Sequence, residues 1–84
     1  MTGKDLATVI KRIEMHISQA DSYFRQGKLL KANNILQKAA CMLLSRLKSN
    51  PKHKTLLELK NKHERCRNKI IHAMIASISP NQHI

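Results

Sequence analysis

The chain has 84 residues, with 16 Lys and Arg against five Asp and Glu, for a formal net charge of +11. Apolar residues make up 42%, enough to build one small core, and there are only two glycines, two prolines and two cysteines. Together these exclude a large enzyme, a disulfide scaffold, a collagen, a disordered basic tail and a turn-rich β-barrel. The apolar run from Ile70 to Ile78 is far short of the roughly 20 residues a bilayer-spanning helix needs, so no membrane role is expected.

A single domain over residues 1–84 is predicted, built from three helices. The first covers about residues 4–26. Leu6, Ile10, Ile13, Ile17, Ala20 and Phe24 recur at alternating steps of four and three, which places them on one helical stripe. Thr2 is positioned to cap its start, and Asp5 suits the positive end of its dipole. Gly27 follows the last periodic residue, where a left-handed C-terminal cap favours a residue without Cβ.

The second helix covers about residues 29–48. Leu29, Ala32, Leu36, Ala39, Leu43 and Leu47 form its stripe, and Ile35, Ala40 and Leu44 widen it. A wide stripe implies two neighbours and so the central position. Asn50-Pro51 then breaks the pattern. The third helix has two open starts: at Pro51 with Asn50 as cap, or a turn later through the capping box Thr55-Leu56-Leu57-Glu58. Its stripe runs through Leu56, Leu59, His63, Cys66, Ile70 and Ala73, giving a helix over about residues 52–78. Ser79-Pro80 ends it, and residues 79–84 are a tail. Both links are short, which makes consecutive helices antiparallel neighbours. The fold class is therefore all-α, an antiparallel three-helix bundle opening with a tight helical hairpin.

Catalytic chemistry is not legible, and neither a metal nor a cofactor is expected. His63 and Cys66 stand three apart on one face, a spacing at which two ligands can share an ion, but a structural zinc site needs four and no partner pair is near. Arg65 and Arg67 flank Cys66 in sequence, yet adjacent residues on a helix point in different directions. With five carboxylates in the chain, paired acids are scarce, and no Gly-rich loop is present to cradle a phosphate. Cys41 and Cys66 are expected to be reduced in a cytoplasmic protein, since no signal peptide is visible. The chain opens with Met and is expected to be free-standing.

Binding is the remaining role. Lys62, Arg65, Lys69 and His72 step three, four and three along one side of the third helix, and Lys60 and Arg67 lie on its other flank. Seven of the sixteen basic residues fall between Lys52 and Lys69, interrupted only by Glu58 and Glu64. Such a face suits an acidic partner surface or nucleic-acid phosphates. No recognition helix of the helix-turn-helix kind and no aromatic platform is evident, so nucleic-acid binding would be weak and non-specific. Leu30, Met42, Leu44, Leu57, Ile71 and Ile75 exceed what so small a bundle can bury, and they mark a partner or homodimer surface. The partner-binding set read from the sequence is Leu57, Lys62, Arg65, Lys69, Ile71 and Ile75.

Ser22-Tyr23-Phe24-Arg25-Gln26-Gly27-Lys28, followed by Ala32, Leu36 and Ala39, resembles the helical hairpin of tetratricopeptide (TPR) repeats. Two families extend that hairpin. The junction Leu47-Lys48-Ser49-Asn50-Pro51-Lys52-His53-Lys54 resembles that of MIT (microtubule-interacting-and-trafficking) domains, three-helix bundles that take short peptide tails beside the third helix. The run Ala20-Asp21-Ser22-Tyr23-Phe24-Arg25-Gln26-Gly27, then Ala32 and Lys38-Ala39, an Asn-containing link and Lys62-His63-Glu64-Arg65-Cys66 resembles the small bacterial AraC-negative-regulator (ANR) family. The aromatic residue often found in that family's second helix is Ile35 or Leu36 here, and the Trp of its third is absent. The ANR resemblance implies a negative regulator of virulence transcription. Such a regulator binds an AraC-type activator, blocks its dimerisation or DNA binding, and in some members engages nucleoid-associated proteins.

Overall fold

A computed structural model of the chain describes the backbone of residues 2–78 and the side chains of residues 6–77. It is an all-α three-helix bundle of α1 (Thr2–Arg25), α2 (Leu29–Ser49) and α3 (Lys54–Ile78). None of these helices is long and apolar enough to cross a membrane. The cap expected from Thr2 and the first-turn role of Asp5 rest on side chains outside the described ones, and the tail over residues 79–84 lies outside the described residues.

The predicted stripes form the core. Ile13, Ile17 and Ala20 from α1 meet Ala32, Leu36, Ala39 and Leu43 from α2 and Leu56, Leu59, Cys66 and Ile70 from α3, all with at most 8% exposure. Leu6, Ile10, Phe24 and Leu47 lie toward the ends of these stripes and are only partly covered. Five large side chains (Ile13, Leu36, Leu43, Leu56 and Ile70) are fully buried, and each stabilises the fold by about 1.5–3 kcal/mol relative to exposure. α2 is the central element: α1 packs most extensively on it, α3 less so, and α1 meets α3 least. The small side chains of Ala32 and Ala39 let its neighbours approach closely.

Among the described residues, one polar side chain is counted with the buried core. The His63 ring is buried, and its Nε2–H donates to the Leu36 carbonyl oxygen at 3.2 Å, tying α3 to α2. A carbonyl oxygen only accepts, so the proton resides on Nε2.

The hairpin link follows expectation. Gly27 has φ +81°, its N–H donates to Phe24 O at 3.0 Å, and the Lys28 N–H donates to Tyr23 O at 2.9 Å. This is a Schellman cap. A Cβ built on Gly27 meets nothing within 4 Å, so only the left-handed backbone opposes a side chain there. Gly27→Ala is expected to destabilise the protein by about 1–2 kcal/mol, a shift in the urea midpoint with an unchanged slope.

The second link corrects the sequence reading. α3 begins neither at Pro51 nor through the Thr55–Glu58 box. Pro51 and Lys52 form a turn, and His53 takes the cap position, its Nδ1 accepting the Leu56 N–H at 3.4 Å. Asn50 terminates α2 instead of capping α3. Its backbone N–H and its side-chain Nδ2 both donate to Arg46 O, at 2.9 and 3.1 Å. Two donors on one carbonyl fix the chain direction before Pro51, and Pro51 cannot donate a backbone hydrogen bond of its own.

Two expectations about surface residues also change. Leu44, read both as widening the buried stripe and as surplus, is 60% exposed and takes the second role, whereas Met42, read as surplus, packs against the core. The two residues are about 200° apart around α2 and so lie on opposite edges of its stripe, and the structure covers only the Met42 edge.

Candidate partner-binding groove

Because α1 and α3 pack against α2 more than against each other, a groove of about 760 Å³ opens between them. Its floor is Ile17 from α1 with Leu59 and Cys66 from α3, continuous with the core. The α3 wall carries Lys62, Arg65 and Lys69, and the α1 wall carries Glu14 and Asp21. The three basic residues step three and four along α3, which keeps them on one side of the helix. The two acids are seven residues apart on α1, two turns, and therefore share a side as well.

The walls are bridged at one level. Asp21 Oδ1 accepts from Lys69 Nζ at 3.1 Å, while its Oδ2 pairs with Arg25 Nη2 at 3.0 Å. Lys69 Nζ also stands 5.4 Å from the centroid of the Phe24 ring. These groups are partly solvated, so the Asp21–Lys69 pair contributes no more than about 1 kcal/mol. At the hairpin end, Lys28 and Lys31 approach the Tyr23 ring at 5.9 and 5.5 Å.

The residues read as one partner-binding set are divided by the structure. Lys62, Arg65 and Lys69 converge on the α1–α3 groove. Ile71 is half-buried on the opposite flank of α3, lining a smaller concavity of about 280 Å³ with Asn33, Gln37, Ala40, Arg67 and Met74. Leu57 and Ile75 are 41% and 57% exposed and line neither concavity. They are 18 residues apart, five full turns, and so share one outward line of α3. Leu30 and Met15, at 75% and 57%, are further exposed apolar residues. Glu14, Ile17 and Asp21 were missed as site residues. Their acid–apolar–acid steps of three and four along α1 gain meaning only once α1 is known to face α3.

Cys66 lies in the groove floor and Cys41 is exposed on α2, and both are free thiols. Burial pushes the Cys66 thiol above its ordinary range, the Asp21 carboxylate pushes the same way, and the Lys69 ammonium partly opposes them. The folded state therefore favours the neutral thiol. That preference contributes stability below the unfolded thiol's pKa and is lost as pH rises through the folded value. At neutral pH a maleimide is expected to label Cys41 alone within minutes, with Cys66 following only after denaturant is added. Equal labelling of both in the native protein would refute this burial-controlled difference. Among the described residues, no group of three or more His, Cys, Asp or Glu is placed to hold a metal ion.

No family model matches the chain, and neither a curated protein nor a solved structure matches it.

Proposed function

We propose that the protein is a non-catalytic regulator that docks a protein partner in the α1–α3 groove. The partner, on the resemblance of residues 20–27 and 62–66 to ANR proteins, is an AraC-type transcription activator whose dimerisation or DNA binding is blocked. The observation that carries the docking part is the convergence of Lys62, Arg65 and Lys69 on one groove with an apolar floor. Floor and wall supply different parts of recognition: apolar burial gives affinity, and the fixed charges give encounter rate and selectivity.

The test is affinity capture from a nuclease-treated bacterial lysate, washed at moderate salt and read by mass spectrometry. The wild-type chain is compared with a Lys62→Glu, Arg65→Glu, Lys69→Glu variant. A transcription activator retained stoichiometrically by the wild type and lost by the variant supports the reading. Loss of every partner on nuclease treatment would identify nucleic acid as the ligand and replace it, since a +11 chain binds phosphates electrostatically without further design.

A further inference from the structure

The groove's two walls carry opposite charge, and that asymmetry says more about the occupant than the protein's net charge does. α1 and α3 run parallel, each being antiparallel to α2. The Asp21–Lys69 bridge joins residues 48 apart in sequence. The same offset sets Glu14 level with Lys62, two turns earlier on both helices. Among the described residues no ion pair joins Glu14 to Lys62. Equivalent acid and base pairs therefore exist at two levels: the Asp21 level is closed across the groove, and the Glu14 level is open. Both Glu14 and Lys62 are exposed, as is Arg65 beside them.

From this arrangement, and resting on the partner-binding reading above, we propose that the α1–α3 groove takes a single amphipathic helix with opposite charges on its two flanks. We further infer that the wall charges fix the direction in which that helix lies. Along the groove, residues 14–21 of α1 and 59–69 of α3 span about 10–15 Å, which is two to three turns of an occupant. An apolar stripe on that helix covers Ile17, Leu59 and Cys66. Its basic flank meets Glu14, and its acidic flank meets Lys62 and Arg65. Turning such a helix end for end, with the stripe still facing the floor, exchanges its flanks. Between walls of like charge the two directions would be equivalent. Between these walls one direction pairs both flanks and the other opposes both. A purely acidic helix, which the net charge alone would favour, leaves an acid against Glu14 in either direction.

The probe is a synthetic helix of about four turns with a Leu stripe, Glu on one flank and Lys on the other, titrated into the full chain. It is compared with a peptide carrying Glu on both flanks. The two-sign peptide is expected to bind more tightly. Glu14→Lys is expected to weaken it about three- to ten-fold, the range of one exposed pair lost and one repulsion gained, and to tighten the doubly acidic peptide. A paramagnetic label on the peptide N-terminus should broaden resonances at one end of the groove only. A peptide with its flanks interchanged should bind equally well and broaden the other end.

Tighter binding of the doubly acidic peptide to the wild type overturns the proposal, as does equal broadening at both ends. Insensitivity to Glu14→Lys, or self-association of the chain through this groove in place of peptide binding, also overturns it. Since Glu14 is exposed, the Glu14→Lys variant tests docking and not folding, and the label experiment uses the unaltered chain. If these peptides fail while an activator is still captured through Lys62, Arg65 and Lys69, this inference falls and the regulator reading stands.

Discussion

Leu36→Ala is expected to destabilise the protein by about 2–5 kcal/mol. Leu36 is 1% exposed on the central helix, and it faces the core between Ala32 and Ala39, which are themselves fully buried. Those two alanines have no rotamer with which to fill the space a deleted isobutyl group leaves, so the cavity cost adds to the transfer cost. The carbonyl of the same residue accepts the His63 hydrogen bond, so any shift of α2 toward the cavity also strains the only polar tie between α2 and α3 among the described core residues. For a domain of this size, each kcal/mol corresponds to roughly 4–8 °C in melting temperature, and the whole stability of such domains is about 5–15 kcal/mol. Thermal melts followed by far-UV circular dichroism should show a fall of at least about 8 °C. Leu30→Ala and Leu44→Ala, at 75% and 60% exposure, should stay within about 0.5 kcal/mol of wild type. A Leu36→Ala melt that matches theirs would mean that Leu36 does not anchor the core.

The contrast among these leucines shows where the sequence was legible and where it was not. Period alone identified Ile13, Ile17, Leu36, Leu43, Leu56 and Ile70 as inward, because these residues lie at the centre of the apolar stripe of their helix. Gly27 was legible for a separate reason: a left-handed residue at a helix end has few substitutes for glycine. At stripe margins the period is degenerate. Leu44 and Met42 are both apolar and lie on opposite edges of α2, and only the placement of α1 and α3 decides which edge is covered. The start of α3 was misread because His53 is an uncommon cap, while two better-known signals, Asn50-Pro51 and Thr55–Glu58, stood close by.

The groove was half legible for a similar reason. Lys62, Arg65 and Lys69 are near one another in sequence and share a face of a single helix, so their spacing reveals them. Glu14 and Asp21 lie some 48 residues away, and a single-helix pattern carries no information about which face of α3 they oppose. Leu57, Ile71 and Ile75 were grouped with the basic residues because the apolar surplus and the basic steps fall on the same helix. Rotation by 100° per residue separates them to other sides of it.

The change with the largest effect on association is the simultaneous replacement of Lys62, Arg65 and Lys69 by Glu. It lowers the net charge by six units from +11 and inverts one wall of the groove while leaving its floor intact. On the proposed function, the association rate with the captured partner should fall by about ten- to a hundred-fold at low salt, because steering by clustered charge acts chiefly on encounter. The dissociation rate should change less, since Ile17, Leu59 and Cys66 still offer the same apolar contact. Wild-type association should slow as ionic strength rises from about 0.01 M to 0.15 M, where the screening length contracts from about 30 Å to 8 Å. The triple variant should lose that dependence or reverse it. Helicity should be retained, because Glu is as good a helix former as Lys or Arg. The one internal cost is a carboxylate in place of Lys69 beside Asp21, which removes the bridge across the groove and its approach to Phe24. Lys69→Gln separates that local loss from the charge effect. It should lower the melting temperature about as much as Lys69→Glu does apart from the added repulsion, yet leave most of the salt-dependent rate in place. Association by the triple variant at the wild-type rate, with the wild-type salt slope, would show that the basic wall of α3 does not steer the partner.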